Sequence, residues 1–282
     1  MEQDLRVNDF YLTEEQKCDW HKRNILYNTL WFAQNKSYMP DIEYSDLAIS
    51  NYKEIPCYKD WGCIYHSGGG KVLITPKGKI ITADLMTGWW NPFKYFLKLP
   101  IDGRQESMEK LLEEVPKEKD EKDRIIKWIQ EKNNAAKEEC NALLDFLNVV
   151  YTSGNIIPDP INWISGRGID SWEYKLHKIF QYQDDSTSDD ANVKAWNDYI
   201  NDIFKKNSLE ENRKFFIEEN RLQMYFKDDK FKDDHIVSFW GKKIPSGIAA
   251  ATTEQWGNYF KITKELISER NKCLQAIYNK QT

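Results

Sequence analysis

Four polar residues of this chain have side chains that could take part in a reaction: His66, Asp84, Asn155 and Arg167. Asp84 comes shortly before two tryptophans, and a carboxylate beside apolar rings can have a raised pKa and act as a general base. Arg167 lies between two glycines, where its planar guanidinium could bind a carboxylate or a phosphate through two hydrogen bonds. Gathered in one cleft, the four side chains would suit a hydrolase or a transferase acting on a phosphate- or carboxylate-bearing substrate.

Two of these residues also have structural interpretations, which we favour over a role in chemistry. Asp84 can cap the turn that follows the strand it ends. Arg167 can tie its loop to a neighbouring aspartate or to main-chain carbonyl groups. The four residues are therefore candidates for ligand binding, and the sequence assigns no catalytic residue.

The remaining polar residues do not match known catalytic or metal-binding motifs. The Gly-Gly-Gly-Lys run at 68–71 leads into a strand and is followed by Val72. A phosphate-binding P-loop instead has Ser or Thr after its lysine and leads into a helix. Cys57, Cys63 and His66 do not have the spacing of a zinc site, and no second pair of ligands follows them. We predict no metal site and no cofactor.

The composition favours a globular protein in water. Of its 282 residues, 40% are hydrophobic and 30% are charged, and the formal net charge is −5. The negative balance argues against nucleic acid as a partner, because binding to phosphates requires a basic surface. No apolar run approaches the roughly 20 residues that a membrane-spanning helix needs, so we predict no membrane partner.

The number and spacing of the cysteines and the composition of the first residues indicate the cellular compartment. The chain has five cysteines without close pairing, which does not indicate a disulfide framework. Its first ten residues are acidic and lack the apolar segment of a signal peptide. Both observations predict a cytoplasmic protein in a reducing environment.

The spacing of apolar residues predicts a mainly α (α+β) fold. We expect a multi-helix single unit over residues 1–282, with one small antiparallel β-hairpin or three-stranded sheet at about 63–84. The hairpin consists of β-branched runs at 71–75 and 79–83, and residues 64–66 could supply a third strand. Its turn is Pro-Lys-Gly at 76–78, where proline presets φ and Gly78 supplies a left-handed residue. Helical spacing predicts helices at 14–35, at 89–97, on both sides of Pro116, at 171–182 and from 252 onward.

A connector in the middle of the chain joins two of these helices. An apolar helix ending near Val150 leads to Gly154, for which we predict a positive φ at the helix C-terminus. Pro158 and Pro160 then keep the backbone extended. A polar stretch at 183–190 follows the second helix and reads as a surface loop.

Helix starts are marked by capping boxes, in which Ser or Thr precedes Glu or Gln by three residues. The pattern occurs at Thr13 and Gln16, at Ser208 and Glu211, and at Thr252 and Gln255. We expect a helix to begin at each.

Several segments resemble a family of bacterial proteins known as a domain of unknown function. The family pattern is an apolar helix ending in Tyr-Thr-x-Gly-Asn-x-Ile-Pro, followed by Arg-Gly and an aromatic-rich helix. This chain has Tyr-Thr-Ser-Gly-Asn-Ile-Ile-Pro at 151–158 and then Arg167 and Gly168. The resemblance implies a stand-alone, cytosolic, mainly helical bacterial protein, and it carries no established activity.

The absent motifs and the acidic balance favour a binding or interaction protein whose partner is a protein or a small-molecule ligand. The alternative is the hydrolase or transferase built on the four candidate residues. Convergence of those side chains on one cleft would favour the enzyme, and their separation would favour the binding protein.

Overall fold

The computed structural model describes part of the chain: residues 26, 30, 52–53, 55–65, 71–100, 104–116, 122–160, 175–177, 180, 194, 198–200 and 208–278. His66, the glycine run at 68–70, Arg167, the loop at 183–190 and the capping box at Thr13 lie outside these residues. Within the predicted helix 14–35, Leu26 and Leu30 are described, and both are helical and fully buried.

The sheet has four antiparallel strands in the order β1-β2-β3-β4. These are β1 (Gly62–Tyr65), β2 (Lys71–Ile74), β3 (Ile80–Leu85) and β4 (Ile156–Pro160). A mainly helical fold with a small antiparallel sheet is therefore confirmed. The first three strands lie where the sequence placed them, and the fourth comes from the central connector.

The turn between β2 and β3 forms as its residues predict. Gly78 has φ +79° and donates its N–H to the carbonyl of Thr75 at 2.8 Å. The N–H of Thr75 in turn donates to the carbonyl of Lys79 at 2.9 Å. The left-handed residue is needed here because it lets the chain reverse within a few residues.

β4 pairs with most of β3, from Ile81 opposite Pro160 to Leu85 opposite Ile156. A central strand forms hydrogen bonds with neighbours on both of its sides. Proline has no N–H to donate, so it is tolerated in a strand at the edge of a sheet. The two prolines that were expected only to hold the connector extended thus lie in an edge strand.

Six α-helices have their bounds within the described residues. They are α1 (Trp90–Phe96), α2 (Arg104–Glu114), α3 (Lys122–Asn133), α4 (Lys137–Val149), α5 (Leu209–Glu219) and α6 (Thr253–Tyr278). Pro116 separates α2 from α3, as predicted. The narrow apolar stripes of these two helices are buried, at Leu111, Leu112, Val115, Ile125, Ile126 and Ile129. Because the stripes belong to the core, α2 and α3 are packed elements rather than a protruding arm.

α6 is the longest described helix, and it packs most extensively against α4. Its buried stripe is Trp256, Tyr259, Phe260, Thr263, Ile267 and Leu274. Phe260 stacks on Phe146 of α4 with ring centroids 5.4 Å apart and meets Phe96 of α1 edge-on at 5.4 Å. Within the described part of the chain, no helix combines the length and the apolar character needed to cross a bilayer.

Both described capping boxes are confirmed. Thr252 Oγ1 accepts from the N–H of Gln255 at 3.2 Å, and Gln255 Oε1 accepts from the N–H of Thr252 at 2.8 Å, so α6 begins with a reciprocal pair. At α5, Ser208 Oγ accepts from the N–H of Glu211 at 3.2 Å. Each box satisfies main-chain donors that a helix start leaves unpaired.

Gly154 does not have the predicted conformation. Among the described glycines, positive φ occurs at Gly78 and Gly241, so the predicted left-handed conformation of Gly154 is wrong. The residue lies in a 3₁₀ turn, Ser153–Asn155, that packs directly on α6. A Cβ at Gly154 would overlap the carbonyl oxygen of Ile267 and lie 2.7 Å from Asn271 Oδ1. Glycine is required here by close contact between two main chains.

We expect Gly154→Ala to lower the free energy of unfolding by about 1–3 kcal/mol, because the added methyl group pushes the turn away from α6. Gly247→Ala is the matched control, since a Cβ there meets nothing within 4 Å and the backbone is extended. Urea unfolding of both variants measures the difference. Equal stabilities would show that the turn is not held as closely as the structure indicates.

Candidate functional site

The four candidate residues are only partly within the described region. The side chains of His66, Asp84 and Arg167 lie outside it. The backbone of Asp84 is described, and it pairs with Ile157 across the β3–β4 ladder. Asn155 precedes β4 directly, so the sheet brings the main chain of Asp84 close to the turn that holds Asn155. Ligand binding by His66, Asp84 and Arg167 stays a prediction.

Asn155 is fully buried, and its side-chain amide bonds to main-chain groups. Its Nδ2 donates to the carbonyls of Thr87 at 2.9 Å and Val150 at 2.7 Å, and its Oδ1 accepts from the N–H of Thr87 at 3.0 Å. Both donor hydrogens are therefore taken by the protein itself. These contacts give Asn155 the role of fastening the end of α4 to the segment after β3.

Arg270 of α6 is the centre of a group of buried polar residues, and its own side chain is fully buried. Its guanidinium donates to four main-chain carbonyl oxygens: those of Ser153 (3.2 Å), Gly154 (2.9 Å), Ile156 (2.7 Å) and Asn220 (2.9 Å). A fifth contact joins it to the phenol oxygen of Tyr52 at 3.3 Å. A buried charge is costly unless hydrogen bonds replace its lost hydration, and this arrangement supplies them.

Asn271, the next residue, binds the same turn from beside it. Its Oδ1 accepts from the N–H of Gly154 at 2.5 Å, and its Nδ2 donates to Thr152 Oγ1 at 2.6 Å. Thr152 Oγ1 in turn donates a hydrogen bond to the carbonyl of Val149 at 2.7 Å. Together Arg270 and Asn271 hold the segment from the end of α4 to the start of β4.

Three buried tyrosines extend this group, which we call the polar core: Tyr52, Tyr58 and Tyr199 with Asn220, Arg270 and Asn271. Tyr52 donates to the carbonyl of Ile156. Tyr58 donates to Asn220 Oδ1 at 3.0 Å and lies 3.3 Å from the hydroxyl of Tyr199. Hydroxyl groups in the polar core thus have partners, as buried polar atoms require.

The polar core favours neutral tyrosines and a neutral thiol. Burial raises the pKa of Tyr52, against the opposing effect of the Arg270 charge, and burial raises the pKa of Tyr58 well above its usual value. Burial and the carboxylate of Glu219 also raise the pKa of Cys57, which adjoins Tyr58. The thiolate is the nucleophilic form, so Cys57 is not activated for covalent catalysis.

The two described histidines lie at the surface beside aspartates. His177 Nδ1 is 2.6 Å from Asp233 Oδ1, and His235 Nδ1 is 2.8 Å from Asp234 Oδ1. The hydrogen bond from His235 lowers the pKa of Asp234. Within the described residues, His, Cys, Asp and Glu form no group of three or more that could hold a metal ion. The described geometry therefore brings together a structural polar core and no recognisable catalytic set.

Sequence reasoning missed the polar core, although one signal for it exists. Arg270 and Asn271 continue the apolar stripe of α6, three and four residues after Ile267 and before Leu274. A charged residue in the middle of such a stripe must be buried with partners or distort the helix packing. The pattern indicates a buried arginine, but it does not say which carbonyl groups surround it.

No family model, curated protein or solved structure matches this chain. The resemblance to the bacterial family therefore stays a prediction.

We expect Arg270→Met to lower the free energy of unfolding by about 3 kcal/mol or more, because each buried acceptor left unpaired costs about 1–3 kcal/mol. Arg270→Lys should be only partly tolerated, since an ammonium group cannot reach all four carbonyls as a fork does. Lys272→Met is the matched control on an exposed face of the same helix. Chemical denaturation of the three variants is the measurement. A loss for Arg270→Met no greater than that of the control would contradict the structure.

The raised pKa values of Tyr52 and Tyr58 predict loss of stability in alkali. In the unfolded chain these phenols ionise near pH 10, whereas in the fold they stay protonated to higher pH. Their contribution is complete below about pH 10 and is lost as the pH rises further, by up to about 1.4 kcal/mol per pH unit for each group. Denaturation between pH 8 and pH 11 should show this slope, and Tyr58→Phe should make it shallower. An unchanged slope would place Tyr58 outside the polar core.

Proposed function

We propose that this chain is a binding or interaction protein and that it contacts its partner through residues 244–251, here named the apolar loop. The observation that carries the proposal is an exposed run without charge. Eight residues, Ile-Pro-Ser-Gly-Ile-Ala-Ala-Ala, contain no charged side chain in a protein in which charged residues make up 30%. Ile244 is 67% exposed, the highest value of the large apolar side chains described.

The apolar loop is exposed along most of its length. Ser246, Gly247, Ala249 and Ala250 are exposed as well, and Pro245, Ile248 and Ala251 are half-buried. Single exposed apolar residues are ordinary, whereas a contiguous apolar surface rimmed by polar residues is typical of an interaction site. A strongly exposed isoleucine is not lining a concave pocket, which favours a protein partner over a small-molecule ligand.

The segment that directly precedes the apolar loop, residues 240–243, is held against α6. Trp240 packs against Trp256 and Tyr259 of α6, with ring centroids 4.8 and 4.9 Å apart. Gly241 turns the chain with φ +67°. The carbonyl of Lys243 then accepts from Gln255 Nε2 at 3.0 Å, which joins the loop to the capping box of α6.

This anchoring favours binding because it removes part of the entropic cost. When a mobile loop binds, the entropic cost of ordering it reduces the affinity. A loop that is already held in place before binding does not carry this cost. Covering one isoleucine side chain contributes about 1.5–3 kcal/mol. The apolar loop therefore offers a small, preorganised contact.

The polar core supports a binding protein rather than an enzyme. Its described side chains bond mainly to main-chain carbonyls or to one another, and Cys57 is protonated at neutral pH. The hydrolase or transferase alternative depends on His66, Asp84 and Arg167, whose side chains lie outside the described residues, and no described contact favours it.

A photo-crosslinking amino acid at position 244 should capture a specific protein in cells that produce the full chain, and the same amino acid at position 230 should not. Lys230 is exposed in a different loop, so it reports nonspecific proximity. The captured protein, once identified and purified, should bind Ile244→Ser about ten-fold or more weakly than the parent, since the contact is worth about 1.5–3 kcal/mol.

Ile64→Ser is the matched control, because Ile64 is the other large apolar side chain that is exposed among the described residues, at 47%. Its affinity should equal that of the parent. Equal capture at positions 244 and 230, or unchanged affinity of Ile244→Ser, would show that the apolar loop does not contact the partner.

A further inference from the structure

We infer that the partner of the apolar loop is a protein segment that combines a small aliphatic pocket with a carboxylate beside it. The inference rests on the proposed function and adds the chemistry of the partner. It comes from the charges at the edge of the loop, which differ in sign from the charge of the whole chain.

Two consecutive lysines precede the apolar loop, and both are exposed. Lys243 is already paired, since its Nζ lies 2.9 Å from Glu254 Oε1. Lys242 forms no ion pair with any residue that the structure describes. The edge of the loop therefore keeps one positive charge in a chain whose formal net charge is −5.

A carboxylate on the partner would complement this charge. Lysine is a strongly hydrated point charge, so a rim contact with it adds more to orientation and association rate than to affinity. The aliphatic contact at Ile244 would supply the affinity, and the small side chains of Ala249 and Ala250 leave room for a close approach. The loop thus offers one apolar side chain, one cation and, beside them, a surface of small side chains that a partner can approach closely.

An anionic membrane fits these features less well than a protein. Electrostatic attachment to anionic lipids takes clusters of about four to eight basic residues. Even one myristoyl chain, which buries many more methylene groups than an isoleucine, binds membranes only marginally. A single isoleucine with one or two lysines falls short of both requirements.

Nucleic acid fits less well for a similar reason. Affinity for nucleic acid comes largely from neutralising several phosphates, and single strands also require aromatic rings on which bases stack. The apolar loop contains no aromatic residue, and Trp240 before it packs against α6. An acidic protein segment is the occupant that matches both the size and the charge of the surface.

The test uses the full chain and the protein captured at position 244. Lys242→Glu should weaken binding at least five-fold and Lys242→Arg should preserve it, while Lys230→Glu makes the same charge change on another loop and should have no effect. Raising NaCl from 50 to 300 mM should weaken the parent complex several-fold and the Lys242→Glu complex less, because salt screens exposed charges.

The outcomes separate the two proposals. If Ile244→Ser weakens binding but Lys242→Glu does not, the loop is an interface and the acidic partner is wrong. If no protein is captured at position 244 above the level at 230, the proposed function fails and this inference with it. Binding to phosphatidylserine vesicles or to poly-uridine RNA that requires both Lys242 and Ile244, and is tighter than binding to the captured protein, would also overturn it.

Discussion

The burial of one guanidinium group is the constraint on which the described structure depends. Removing a cation from water is costly, and the cost is offset here by carbonyl oxygens at 2.7–3.2 Å around Arg270. These oxygens belong to the turn after α4, to β4 and to the end of α5. Since the fork of the guanidinium is planar and rigid, the acceptors must occupy fixed positions. The hydrogen bonds of one side chain thus determine how the central connector, the end of α5 and α6 meet.

α6 links this polar core to the proposed interaction surface. Near its C-terminal end, Arg270 and Asn271 hold the central connector, and at Gly154 the main chains approach so closely that a side chain would not fit. Near its N-terminal end, Trp256 and Gln255 hold the segment that leads into the apolar loop. One helix therefore stabilises the fold at one end and presents a preorganised surface at the other. Because the two ends of α6 are separate, we expect changes at Ile244 or Lys242 to leave the polar core undisturbed.

The polar core also shows how a group of reactive residue types can have a structural role. It brings together tyrosine, asparagine and arginine, with Cys57 adjoining, which is the composition of many active sites. In this protein, burial keeps the phenols and the thiol protonated, and the arginine is surrounded by main-chain acceptors. Residue type suggests chemistry, but protonation and hydrogen bonding decide whether chemistry is available.

The sequence by itself determined the local features. The turn at Gly78, the capping boxes at Ser208 and Thr252, and the division at Pro116 depend on residues a few positions apart, whose conformational preferences act within one turn. It also predicted the mainly helical class, since the apolar period of a helix is visible in the residues that form it. Three features became visible only in the tertiary structure. Gly154 is required by close contact with α6, prolines 158 and 160 lie in a strand of the sheet, and Arg270 is buried in a structural role. These depend on groups far apart in the chain, such as Gly154 and Asn271, which are 117 residues apart, and no local pattern records which distant main chain will come into contact.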